Sequence, residues 1–429
     1  MKFTILMQEF IDFLETKNFN FNINKRELYN ENKQRNNKLF SSNNTNKQLD
    51  NVLGKLYVDF VEAYSYLQKA KSEKKIFDMD IQNIDNVNQI PLSEDLFGSS
   101  YMPKNIVDII KNESDYYISY KFKIKDRNIK IIFVTCGEEI IFGIDKYNNY
   151  MENIFIWFYI ASQHAYKYCS KNLTVYIYFT NNKRLLPSSS VQIIDANNVN
   201  GGISNICVKN SLSEIVIYRK EEWFKVLIHE TFHNFGLDFA AMDIGVLKSK
   251  IRKIFPVKSK MLIFECYTEL WAEIINCLFC SYSLIDDKTD KNSLFLYFNF
   301  ILEFERIFSL FQMVKFLNFM GLTYHDILHS SKSDIAYHLY KENTHVFPYF
   351  ILKAVLMNNY KSFIIWCYNT NINLLRFSQN NKSLLSFYGL IKQNYQSNVL
   401  FENIKLIEQF MKTLNKRSEH KLIMTSRMT

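Results

Sequence analysis

The sequence predicts an α+β protein, and three observations carry that prediction. Residues 116 to 125 alternate, with Tyr116, Ile118, Tyr120, Phe122 and Ile124 facing one way and Tyr117, Ser119, Lys121, Lys123 and Lys125 the other, the pattern of a half-buried strand. Residues 246 to 429 read as helical throughout. Gly and Pro number 10 and 5 in 429 residues, and so few breakers favour long helices over many tight turns.

In chain order, residues 2 to 16 form a short amphipathic helix, and the Asn-rich stretch 28 to 50 reads as a loop or linker. Leu53, Leu56, Tyr57, Phe60, Tyr64 and Leu67 mark a helix, and residues 73 to 100 read as irregular. Asp126-Arg-Asn128 turns the first strand into a second at 129 to 135, and a helix follows over about 149 to 170. Leu173 to Thr180 and Ser213 to Arg219 are rich in Val, Ile and Tyr and read as strands. Between them lies a long loop, 181 to 205, of the kind that is often functional. The strand 213 to 219 is expected to run along a cleft, as an edge able to pair with an extended peptide. The chain therefore divides into an N-terminal extension 1–100, a mixed segment 101–245 and a helical segment 246–429.

Composition narrows the function classes. The net charge is +9, but the bases are scattered. Their densest runs, Lys248 to Lys260 and Lys412 to Lys421, lack interleaved aromatics and read as solvated surface, not as a specific nucleic-acid site. The seven Cys lack secreted-domain spacing. Cys277-Leu-Phe-Cys280 has no second pair and reads as core helix, so the thiols are expected to be reduced and the chain intracellular and not secreted. The first residues meet acids too soon for a signal peptide. No run reaches the roughly 18 apolar residues of a membrane span. The closest stretch, 294 to 320, is interrupted by Glu303, Glu305, Arg306 and Lys315.

The chemistry is carried by Val226-Leu-Ile-His-Glu-Thr-Phe-His-Asn-Phe-Gly236, which contains one His-Glu-x-x-His. On a helix, His229 and His233 share a face and can reach one metal ion. Glu230 stands beside them as a general base for a water. Trp223, Phe224, Leu227, Ile228, Phe232 and Phe235 give the segment an apolar stripe, Glu221 and Glu222 favour the helix start, and Gly236 suits a left-handed C-cap. A third ligand is still needed. A metzincin spacing would put it at Phe239, which cannot ligate; Asp238 is one residue off and is a fallback. Downstream, a helix over roughly 261 to 281 carries Glu265, Glu269 and Glu273 on one face. Like charges at that spacing repel, which a nearby cation would relieve.

The Glu-x-x-Ala-Glu form of Glu269 to Glu273 resembles the second-helix motif of gluzincin metallopeptidases. That resemblance implies Glu269 as third zinc ligand, Glu273 as the acid that orients a ligating His, and Glu265 as the fallback ligand. The element order before the motif also resembles the upper subdomain of a zincin. It implies a zincin-like catalytic domain over 101–245 with the third ligand in a helical lower subdomain. Asn197 to Gly202, Glu214 to Arg219, His229 to Asp238 and Thr268 to Glu273 resemble uncharacterised proteins of giant nucleocytoplasmic DNA viruses. These resemblances imply a zinc-dependent metalloprotease acting on polypeptides, viral proteins foremost, in the host cytoplasm or virion. The rival expectation is a structural virion or assembly protein with a non-catalytic zinc site. For the oxyanion donor, His325, His329, His338 and His345 stay open, and Tyr267 faces away from Glu269 on an ideal helix.

Overall fold

Alternating apolar residues build the centre of the molecule. The computed structural model describes residues 5–17, 44–73, 76–137, 143–207, 212–328 and 333–413. Its sheet contains β1 (Asp78–Asn83), β2 (Ser114–Ile124), β3 (Arg127–Cys136), β4 (Asn172–Tyr178), β5 (Gly202–Ser204) and β6 (Leu212–Ile217), in the order β1-β2-β3-β4-β6-β5. The β1 and β3 strands each run antiparallel to β2 between them, β3, β4 and β6 are parallel, and β5 runs antiparallel to β6 at the edge.

One sheet face carries Ile118, Tyr120, Phe133, Val175, Ile177, Ile215 and Ile217 into the main core. There it meets α4 (Ile144–His164) and the helix of the His-Glu motif, α5 (Trp223–Asn234), through rings such as Trp157 on Phe232. The other face, with Ile132, Val134, Tyr176, Tyr178, Val216 and Tyr218, packs on Ile106 and Ile110 of α3 (Lys104–Glu113). The main core continues through α7 (Phe264–Leu284) and α8 (Lys291–Phe319) to Phe410 of the last described helix. It also takes in Leu53, Leu56 and Phe60 of α2 (Asn44–Ser72), so one core runs through all three sequence segments. No helix among the described residues is long and apolar enough to cross a membrane.

Most strands and long helices fall within a few residues of their predicted spans. Four expectations need correction. Residues 78 to 83 form β1 and are not irregular; the strand is polar and almost wholly exposed, so it has no apolar alternation to read. The strand 212 to 217 is interior, because the short β5 covers it and takes the edge. The Asn-rich stretch is helical from Asn44 onward; its residues 28 to 43, like the start of the first helix before Ile5 and the end of the 412–421 basic run, lie outside the described residues. The thiols are not all reduced: Cys169 and Cys207 form a disulfide, at a 38-residue separation that carries no spacing signature. Cys277 and Cys280 lie in α7 as expected and are not disulfide-bonded.

The close approach of β5 to α5 rests on Gly202. A Cβ there would stand 2.8 Å from Val226 Cγ1, 3.1 Å from the Glu230 side chain and 3.1 Å from the Val216 carbonyl. Gly202→Ala is therefore expected to cost about 1–3 kcal/mol through overpacking. Gly389 lies in the helix Asn381–Asn394, where an added Cβ meets nothing within 4 Å, so Gly389→Ala should stabilise by about 0.5–1 kcal/mol. Denaturant unfolding of both variants checks the opposite signs.

Candidate metal centre

The motif folds as predicted, into a helix that is buried from Lys225 to Asn234. Its start is held by an element the sequence did not flag. The guanidinium of Arg184, itself buried, pairs with Glu222 and reaches Glu221 Oε2 at 3.4 Å. These acids hold its charge against the cost of burial. Glu222 takes φ of 56°, a left-handed turn from which α5 begins. At the other end Gly236 takes φ of 65°, as its place after the helix requires.

His229 and His233 turn their Nε2 atoms toward each other, 3.2 Å apart. Glu265 completes the cluster: its Oε2 lies 3.1 Å from His229 Nε2 and 3.3 Å from His233 Nε2. One ligand atom from each of these three residues falls within 4.8 Å of the others. Each imidazole donates its far nitrogen to a carboxylate. His229 Nδ1 lies 2.8 Å from Glu269 Oε2, and His233 Nδ1 lies 2.5 Å from Asp238 Oδ2. With both Nδ1 atoms engaged as donors, a neutral Nε2 presents a lone pair. Two lone pairs and a carboxylate facing one point repel unless a proton or a cation sits among them. The donor set thus fits a divalent metal, and the outer carboxylates fit the usual support of metal-binding histidines.

This geometry shifts the predicted roles by one helical turn. Glu269 meets the outer nitrogen of His229 and is also bound by Lys225 Nζ at 2.5 Å, so it orients the ring while Glu265 faces the metal point. Glu273 lies a further turn away and touches neither His; its Oε2 is 3.6 Å from Lys353 Nζ, in a pocket whose dryness pushes its carboxyl well above the ordinary range. The physical reason is register: four residues of helix advance about 6 Å, and the first turn of α7 is the one that crosses the histidines. Asp238 is also no ligand in this arrangement. Its Oδ2 holds His233 Nδ1 and Thr268 Oγ1, and its Oδ1 accepts from the Ala240 amide.

Glu230 lies beside the pair, 7% exposed. Its Oε2 accepts from Ser204 Oγ of β5 at 2.7 Å. Burial raises its carboxyl above the usual value, while His229, His233 and Ser204 pull against that rise. A carboxyl so raised sits closer to neutrality, where a side chain can exchange protons most readily. From the helical half come His345 and Tyr349. The Tyr349 ring is 5.6 Å from that of His229, and its hydroxyl bonds Glu265. His345 is 5% exposed and its Nδ1 has no hydrogen-bond partner among the described residues. Of the other histidines left open, His325 stacks on Phe401, and His338 is exposed against Tyr337. His329 lies outside the described residues. Tyr267 points away, as expected, and donates to the Leu375 carbonyl.

The sequence left Lys225, Ser204, Arg184 and Tyr349 unnamed. Lys225 had a usable signal, standing one turn before His229 on the same face; Gly201-Gly202 marked the close approach that brings Ser204 in. The cavity at the site has a volume of about 40 Å³, lined by His229, Glu230, Lys225, Arg184, Tyr349 and the Gly201-Gly202 pair among others. That is room for about three water molecules. No family model matches the chain, and no curated protein or solved structure gives a match.

Without metal, the site holds protons instead. Burial opposes a charged His229, but Glu265 and Glu269 outweigh it and lift the imidazole from 6.5 to about 9. A raised folded-state pKa stabilises fully below the unfolded value and is lost as pH rises through the folded one. Metal-free protein should therefore lose thermal stability between about pH 6.5 and 9, and zinc should flatten the profile. Melting curves of chelated and zinc-loaded protein across that window check it; a metal-free Tm that rises over the window would contradict the charge state.

Proposed function

We propose that the chain is a zinc-dependent metallopeptidase of zincin type, with His229, His233 and Glu265 as ligands and Glu230 as general base. The observation that carries this reading is the convergence of two Nε2 atoms and one carboxylate beside a second acid, Glu230, that is hydrogen-bonded to Ser204. The His₂Glu set suits zinc. A metal there would supply Lewis acidity, lowering the pKa of a water toward neutrality. Glu230 takes the proton of the attacking water and delivers it to the leaving nitrogen. Glu269 and Asp238 keep the histidines in one tautomer. His345, through its unpartnered Nδ1, donates to the oxygen of the attacked carbonyl, while the Tyr349 hydroxyl stays on Glu265. An extended peptide pairing with the edge strand β5 would run past Glu230. Viral polypeptides, which the sequence resemblance suggests, are the first substrates to test.

One observation favours the second reading, a structural assembly protein with a zinc that is not catalytic. All four acids and histidines of the centre are less than a tenth exposed, and the cavity is far smaller than a peptide. The wall is the loop before β5. It is tied to the helical half by Asn343 N to the Ile194 carbonyl and by Thr344 Oγ1 to Asn200 Oδ1, both at 2.8 Å. A peptidase must part these contacts; a structural zinc needs them closed.

Metal and activity measurements separate the assignments. Glu265→Ala should abolish stoichiometric zinc, whereas Glu269→Ala should retain a site weakened about 10–100-fold. The reverse order would return the ligand role to Glu269. Glu230→Gln should keep zinc and fold yet lower hydrolysis by about 10²–10⁴-fold, because glutamine cannot accept the proton. Wild type and Glu230→Gln are compared on a peptide library and on candidate viral precursors. Zinc-loaded wild type that cleaves nothing would favour the structural reading.

A further inference from the structure

The C-terminal end of the metal helix is held by the two segments that the disulfide joins. Cys207 donates its backbone N–H to the carbonyl of His233 at 3.1 Å. Ser170, next to Cys169, donates its hydroxyl to Asn234, with Oδ1 at 2.6 Å and the carbonyl at 2.9 Å. Asn234 in turn donates its amide to the Asn205 carbonyl at 3.0 Å and to Ser213 Oγ at 2.6 Å. Gly236 lies under the bridge: a Cβ there would stand 3.1 Å from Cys169 Sγ and 3.3 Å from Cys207 Cβ. The last turn of α5, which carries His233, is thus gripped from both sides by segments 169–170 and 205–207, and the Cys169–Cys207 bond closes the grip.

We infer that the Cys169–Cys207 disulfide is a redox clamp on the metal centre: the site holds its metal tightly while the bond is intact and loosely once it is reduced. The inference rests on the metal-site reading above. Cys169 is buried and Cys207 is half-buried, so a reductant would approach the bond from the Cys207 side. A dithiol reductant would give two electrons and two protons, ending as its own disulfide and leaving two protein thiols. His233 is the ligand whose backbone the clamp holds, so loosening acts on its position first. Outer supports of metal ligands are worth about 10–100-fold in affinity, and the clamp is such a support acting through the main chain.

The test compares oxidised protein, protein reduced with a water-soluble phosphine, and Cys169→Ser/Cys207→Ser. The phosphine takes oxygen from water as it yields two thiols and avoids the zinc chelation of a dithiol. Two readouts are taken: zinc affinity by competition with a chromogenic chelator, and amide hydrogen exchange along residues 229 to 236. Expected are zinc binding at least tenfold weaker and exchange at least tenfold faster in that segment, with the sheet unchanged. If the double variant fails to fold, the phosphine-reduced wild type decides. Equal zinc affinity and equal exchange in both redox states would overturn the clamp, as would global unfolding on reduction, which would make the bond a general staple. Oxidised protein that binds no zinc would instead strike the metal-site reading, and the exchange arm would still decide the clamp.

Discussion

The centre of this protein is a set of ionisable groups buried together, and the need to pair each of them constrains what surrounds it. Moving a lone charge from water into a protein interior costs several kcal/mol even after relaxation. His229, His233, Glu230, Glu265, Glu269 and Asp238 are all less than a tenth exposed. The structure answers with a chain of contacts: Arg184 on Glu222, Lys225 on Glu269, Glu269 on His229, Asp238 on His233. Each partner comes from a different element, so the pairing fixes how loop, metal helix and α7 meet. The apolar core fills the space between these fixed points. It does not choose their register.

Much of the fold was legible because burial leaves a period in the sequence. The alternation over 116–125 gave β2, and the His-Glu helix ended at Gly236 as its cap chemistry required. What was missed had no such period. The β1 strand is polar because it is nearly all exposed, and β5 is three residues long. The disulfide depends on two segments 38 residues apart meeting against Gly236, which no local pattern reports. At the site, both histidines and Glu230 were readable from spacing alone. The third position was not, because helical periodicity places Glu265, Glu269 and Glu273 on one face without saying which turn crosses α5.

The enclosure of the site follows from the same edge that would serve a substrate. The β5 strand supplies Ser204 to Glu230, and Gly202 lets it come close enough to do so. The chain leading into β5 must cross to the helical half, and there it is fastened through Ile194 and Asn200. The strand that holds Glu230 is therefore continuous with the loop that walls the cavity. The single helical turn Ala196–Val199, capped by Asp195, lies between the Ile194 and Asn200 ties, and its Asn197 and Val199 carbonyls accept from the Arg219 and Arg184 guanidiniums.

The acidic row on α7 makes the general point about position outranking identity. Three glutamates stand four residues apart on one buried face, and each is given different work by what lies opposite. Glu265 meets two Nε2 atoms, and the histidine charges hold its carboxyl well below the ordinary range despite burial. Glu269 meets Lys225 and a ring N–H, which depress it likewise against the same opposition. Glu273 meets Lys353 at 3.6 Å and has no hydrogen bond to either oxygen among the described residues, so burial dominates and raises it. A row that looks like one repulsive patch is, turn by turn, a ligand-type carboxylate, an orienting carboxylate and a carboxyl set against Lys353 whose ionisation burial opposes. The histidines stand opposite the first two, and Lys353 opposite the third.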